Sequence, residues 1–174
     1  MFKNILVATD GSRTGSKAVD AAASLAKELN AKLVLLTVVG QGDVPENMVH
    51  MFEVEHLIKD RDSLRKDMAP RAGVPTASVR GSENAALAAK VHQIMAETVL
   101  QRSQDQVKAI MHANPDCVLH EGNPAEVILD VASERGSDLI VMGSRGFGEL
   151  KSLLLGSVSS KVNQLCGCPC LIIK

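Results

Sequence analysis

The sequence predicts an α/β domain, a doubly wound five-stranded parallel sheet with helices on both faces. Short apolar runs alternate with amphipathic helical stretches along the chain, the pattern of strand-helix-strand units joined by crossovers. The runs Ile5–Ala8 and Leu33–Val39 are rich in Val and Leu and nearly unbroken, as strands buried on both faces are. Length and composition agree: 174 residues, 45% of them apolar, suit one domain over 1–174 with a sizeable core.

In chain order, Ile5–Ala8 is the first strand and Thr9-Asp10-Gly11-Ser12 its exit turn. Ala18, Ala22, Leu25 and Leu29 then recur on one face of a helix. Leu33–Val39 is the second strand, interrupted only by Thr37, and Cys117–Leu119 a weaker third. Asn123-Pro124-Ala125-Glu126 reads as a helix start, with Asn as N-cap and Pro at the first helical position. That helix is expected to reach Arg135 and stop at Gly136. Leu139–Met142 is the fourth strand, Val158, Val162 and Leu165 mark the apolar face of a last helix, and Cys170–Ile173 is the fifth strand.

Residues 40–116 are far more than a crossover needs. One helix is expected near Glu46–Met68, supported by the pairs Glu55/Lys59 and Asp62/Lys66 and broken by Pro70, Gly73, Pro75 and Gly81. A second is expected from an N-cap at Ser82 to about Ala113. One of the two is the crossover; the other is an extra helix, a helical insertion over residues 41–83.

Composition excludes several function classes. Net charge is −1, from 19 basic and 20 acidic residues, without the basic footprint of a nucleic-acid binder. Aromatics are 2%, with no Tyr or Trp on which bases could stack. No apolar run approaches the roughly 20 residues of a membrane span, and the N-terminus enters a strand without a signal-peptide progression. The expected setting is the cytoplasm, where the four cysteines stay thiols. Cys166, Cys168 and Cys170 alternate without a second Cys or His pair, which is no zinc signature. Cys170 is expected to be a buried strand residue and Cys166 a helix-end residue. The five histidines are scattered, mostly at solvated helix positions.

Open α/β sheets bind ligands outside the carboxyl ends of strands, where strand order reverses. After the fourth strand comes Gly143-Ser144-Arg145-Gly146-Phe147-Gly148, and Gly156-Ser157-Val158-Ser159 opens the last helix. Glycine lets backbone approach a ligand and take positive φ, so that amides can face an anion. A helix N-terminus adds unpaired amides and partial positive charge. Ser157 and Ser159 add hydroxyls and Arg145 a fork of charged donors. The spacing matches neither the Walker A loop nor the dinucleotide fingerprint. Spacing alone leaves open an anion cradle suited to a polyphosphate and a plain turn capping a strand.

Gly143-x-x-Gly146, nine residues, then Gly156-Ser157 resembles the ATP-binding motif of the universal stress protein family. The opening Ile5–Ser12, the segment Asp138–Gly146 and the closing Cys168–Ile173 are similar to that family too, while the middle of the chain departs from it in length. The resemblance implies a Rossmann-like sheet of the adenine nucleotide alpha hydrolase type, in the order 3-2-1-4-5. It also implies that Ala8, Thr9 and Asp10 border the adenosine, with Asp10 the acidic residue of the pocket. Val38 would flank the adenine, and Met142 and Gly143 would line the ribose. Gly146, Gly156, Ser157, Val158 and Ser159 would hold the phosphates, with Arg145 beside them at a variable motif position. The ligand implied is ATP, with AMP or ADP as alternatives, and Mg²⁺ could bridge its phosphates; no carboxylate cluster supplies an all-protein cage. A homodimer through the fifth strand is implied as well.

The expected function is an ATP-binding regulatory protein of the stress response rather than an enzyme. A slow Mg-dependent ATPase is the catalytic alternative, and it lacks a dedicated base. A non-enzymatic protein-interaction module that binds AMP or no nucleotide is the other. The receiver-domain constellation of acidic residues and lysine is missing.

Overall fold

The computed structural model describes residues 1–40, 76–146 and 155–174. Its elements are β1 (Asn4–Ala8), α1 (Arg13–Leu29), β2 (Lys32–Val39), α2 (Thr76–Met111), β3 (Asp116–Glu121), α3 (Pro124–Glu134), β4 (Leu139–Gly143), α4 (Ser157–Leu165) and β5 (Cys170–Ile173). The five strands form one sheet in the order β3-β2-β1-β4-β5, every pair parallel. The doubly wound α/β architecture and strand order expected from sequence are therefore the observed ones. The chain divides into two compact units, residues 1–40 with 96–174 and residues 41–95. The sheet belongs to the first; of the second, the described part is residues 76–95.

Side chains alternate across a strand, and the sheet sorts its apolar residues accordingly. Ile5, Val7, Leu33, Leu35, Leu139 and Val141 pack on one face with Ala18, Ala22, Ala23 and Ala26 of α1 and Val107 of α2. Leu6, Val34, Leu36, Ile140 and Met142 pack on the other with Val127, Ile128 and Val131 of α3 and Val162 of α4. Among the described residues the buried apolar side chains are all aliphatic. Small residues on the inner face of α1 let it lie close to the sheet: a Cβ on Gly143 would meet the α1 backbone at Gly15 N and Thr14 C, each at 2.9 Å.

Helix ends follow their local chemistry. Ser12 caps α1 by accepting from the Gly15 amide at 3.2 Å. Asn123 caps α3, its Oδ1 accepting from Ala125 N at 3.1 Å and Glu126 N at 3.4 Å. Gly136, past the end of α3, has φ +59°, the left-handed conformation common after helices.

Three expectations need correction. Helix α2 starts at Thr76, so Gly81 does not break it and Ser82 is inside it rather than its N-cap. An interior glycine costs only about 1 kcal/mol relative to alanine, which a helix of 36 residues absorbs. Leu165 is 60% exposed and not part of the buried face of α4; Val162 is. Cys170 is only partly buried, because β5 lies at the sheet edge. The helix expected near Glu46–Met68 lies outside the described residues. Among the described residues no helix is long and apolar enough to cross a membrane.

Candidate functional site

In the centre of the sheet, Ala8 of β1 is in register with Leu36 of β2 and with Met142 of β4. From β1 the order runs to β2 on one side and to β4 on the other, so the connections leaving the carboxyl ends diverge and open a crevice there. A cleft of about 640 Å³ occupies it, within the range of small-molecule sites.

Each residue that the family resemblance assigned to the ligand lines this cleft: Ala8, Thr9 and Asp10 after β1, Val38 from β2, Met142, Gly143, Arg145 and Gly146 after β4, and Gly156, Ser157, Val158 and Ser159 at the start of α4; Phe147 and Gly148 of the glycine loop lie outside the described residues. Sequence reasoning missed Gly15, Leu36, Pro124, Ile128, Leu155 and Ser160, which also line it. Leu36 was accessible to reasoning, since it precedes Val38 by two and so shares its face of β2. Gly15 carried a weaker signal, a glycine inside an amphipathic helix. Pro124 and Ile128 required knowing that α3 packs on the same sheet face as α4.

The apolar part of the wall comes from Leu36, Val38, Ile128, Met142 and Val158. The polar part is the turn after β1 together with the two glycine segments. Thr9 is anchored by its amide, which donates to Leu36 O at 3.0 Å. Asp10 Oδ1 accepts from the Ser12 amide at 2.9 Å. Its other oxygen stands so near Gly146 that a Cβ there would collide with it. The Asp10 carboxylate thus lies beside a glycine expected at the phosphates, not only at the adenosine end. Asp10 is the one acidic residue in the cleft wall as described, and Arg145 the one basic residue.

The glycine segments are joined through Ser144. Its carbonyl accepts from the Gly156 amide at 2.7 Å and from the Ser159 hydroxyl at 3.0 Å. Ser159 is 2% exposed, and its hydroxyl also lies 3.1 Å from Gly156 O. The single hydroxyl proton of Ser159 is therefore committed to the loop backbone, which leaves its amide as the donor toward a ligand. Gly156 is the N-cap of α4 and offers no side chain to the first-turn amides.

The described glycines Gly143, Gly146 and Gly156 do not serve backbone conformation through positive φ, contrary to the sequence argument. Among the described residues, positive-φ glycines are Gly11, Gly122 and Gly136, none of them in the motif. Gly156 has φ −74° and ψ 166°, open to any residue. At Gly143 and Gly146 the requirement is space, against α1 and against Asp10.

Three separated segments in this arrangement match one family along the whole chain: the model of the universal stress protein family covers residues 1–174. The chain belongs to the universal stress protein family. It is 38% identical over 177 residues to the universal stress protein YxiE of Bacillus subtilis, covering 100% of both chains. Among solved structures, it is similar in fold to a universal stress protein in complex with cAMP, at 24% identity and TM-score 0.61, covering 99% of this chain and 97% of that one. It is also similar to the universal stress protein from Archaeoglobus fulgidus in complex with dAMP, at 17% identity and TM-score 0.60, covering 99% and 98%.

Proposed function

We propose that this universal stress protein binds an adenine nucleotide in the cleft and acts as an ATP-binding regulator of the stress response, reading nucleotide state through a homodimer. The observation that carries the reading is the convergence of β1, β4 and the α4 N-terminus on one cleft of about 640 Å³, apolar on one side and lined by glycine backbone on the other. The complexes of family members with cAMP and dAMP support the ligand class.

In this reading the base lies against Leu36, Val38 and Ile128, and the ribose against Met142 and Gly143. The phosphates lie at Gly146 and at the free first-turn amides of Ser157, Val158 and Ser159, with Gly156 lending space beside them while its own amide is held by Ser144 O, and with the helix N-terminus supplying partial positive charge. Of the motif glycines, Gly156 is the one that leaves room for an anion, since the space at Gly143 and Gly146 is taken by α1 and by Asp10. A Cβ on Gly156 would have its nearest neighbour at 3.4 Å, so the fold has room for a Cβ where the ligand would leave none. A single wall carboxylate, Asp10, suits a Mg²⁺ ion shared with phosphate oxygens and not one held by protein alone. A nucleotide-dependent switch further requires that ATP bind the two states with different affinity. Strand β5, paired with β4 and carrying Leu171 at 36% exposure, is the edge assigned to the homodimer.

Isothermal titration with ATP, AMP and cAMP, with and without Mg²⁺, tests the reading. Saturable binding is expected, weakened by at least about tenfold in Gly156→Val, whose circular dichroism stays that of wild type. No saturable binding to any of the three, or equal affinity in wild type and variant, overturns it. Light scattering tests the assembly: a dimer is expected, and Leu171→Lys should give monomer.

A further inference from the structure

The peptide linking Arg145 to Gly146 is held from one side by hydroxyls of α1. Both Ser12 Oγ, at 3.3 Å, and Thr14 Oγ1, at shorter range, donate to Arg145 O. The preceding carbonyl, Ser144 O, is held from the other side by Gly156 N and Ser159 Oγ. A trans peptide is planar, with C=O and N–H pointing in opposite directions. Fixing Arg145 O toward α1 therefore turns the Gly146 N–H away from α1. If that peptide flipped, a carbonyl dipole would take the place of the N–H, and an anion there would meet negative charge instead of a donor.

We propose that Thr14, and with it Ser12, is a positioning residue: its hydroxyl locks the Arg145–Gly146 peptide in the orientation that recognises the phosphate end of the ligand. The proposal rests on the nucleotide reading for its ligand but not for its geometry. Ser12 also caps α1, so Thr14 is the cleaner probe. Thr14→Val keeps the shape and removes the donor; Thr14→Ser restores it.

The experiment has two arms. In the ligand-free protein, amide hydrogen exchange and the ¹⁵N shift of Gly146 report the peptide itself; both should change in Thr14→Val and return in Thr14→Ser. In titrations, Thr14→Val should lose about tenfold in affinity for AMP and ATP while adenosine binds as to wild type, and Thr14→Ser should recover the loss. A Gly146 amide unchanged in Thr14→Val overturns the lock. Equal losses for adenosine and ATP, or none for either, overturn its role in phosphate recognition. If wild type binds no adenine nucleotide, the nucleotide reading and the phosphate role fall together, while the first arm still decides the lock.

Discussion

Gly143→Ala puts a methyl group where α1 crosses the end of β4. The added Cβ would meet Gly15 N, Thr14 C and Thr14 Oγ1, all at 2.9 Å. Two of these are backbone atoms of a helix held to the sheet by Ala18, Val19, Ala22, Ala23 and Ala26, each fully buried. No rotamer change relieves the contact, so α1 must shift by about half an ångström to reach ordinary van der Waals distance. Overpacking of this kind costs about 1–3 kcal/mol. For a chain of this length each kcal/mol lowers the melting midpoint by about 2–4 °C, so a fall of about 6 °C is expected. The chain has no Trp or Tyr, and far-ultraviolet circular dichroism is the suitable probe. Gly167→Ala is the control, since a Cβ there meets nothing within 4 Å and should leave the stability within about 0.5 kcal/mol of wild type. If Gly143→Ala melts with wild type, the close approach of α1 to β4 is wrong, and with it the argument that this glycine is required for space.

Asn123→Ala should cost about 1 kcal/mol in urea denaturation by removing the N-cap of α3, and Asn123→Asp should recover most of it. Asp138 accepts from the Lys3 amide at 2.7 Å and the Asn4 amide at 3.1 Å; the Lys3 bond is the main reason its carboxyl is held below the usual aspartate value. A depressed pKa stabilises the fold above the unfolded-state value, near about 3.9, and that contribution disappears as pH falls through the lower folded value. Asp138→Asn should therefore be less stable than wild type at neutral pH, with the gap closing in strong acid; a gap of constant size would contradict this. Burial is the main cause that pushes the Cys170 thiol up to about 11. At pH 8 it should be alkylated far more slowly in the native protein than in urea, as read by peptide mass mapping.

The strands were legible because parallel strands buried on both faces leave unbroken apolar runs, as Ile5–Ala8 does in β1 and Leu139–Met142 in β4. Helix α2 was misjudged at its start because Gly81 and Ser82 look like a terminus locally, whereas the helix continues through them. Leu165 fits the apolar spacing of α4, but its place in the helix's last turn leaves it in solvent. At the site, the motif residues were legible and their physical reasons were not. Whether a glycine serves conformation or space depends on what stands opposite it. For Gly143 that is α1 and for Gly146 it is Asp10, residues more than a hundred positions away in the chain. The commitment of the Ser159 hydroxyl to Ser144 O, only 15 residues earlier, was hidden because it depends on how the two segments meet in space.

Asp138 ties β4 to the amides of Lys3 and Asn4, at a sequence separation of 135 and 134 residues. Strand β1 is thus completed on one side by a segment that lies far along the chain from it. During synthesis β1 can pair with β2 early, yet the cavity wall on its other flank does not exist until residues beyond 139 have left the ribosome. Such non-local closure is slow compared with local helix formation. Both flanks of the cleft are therefore in place only once segments more than a hundred residues apart have met, and a fold without β4 and α4 would carry half of a mouth.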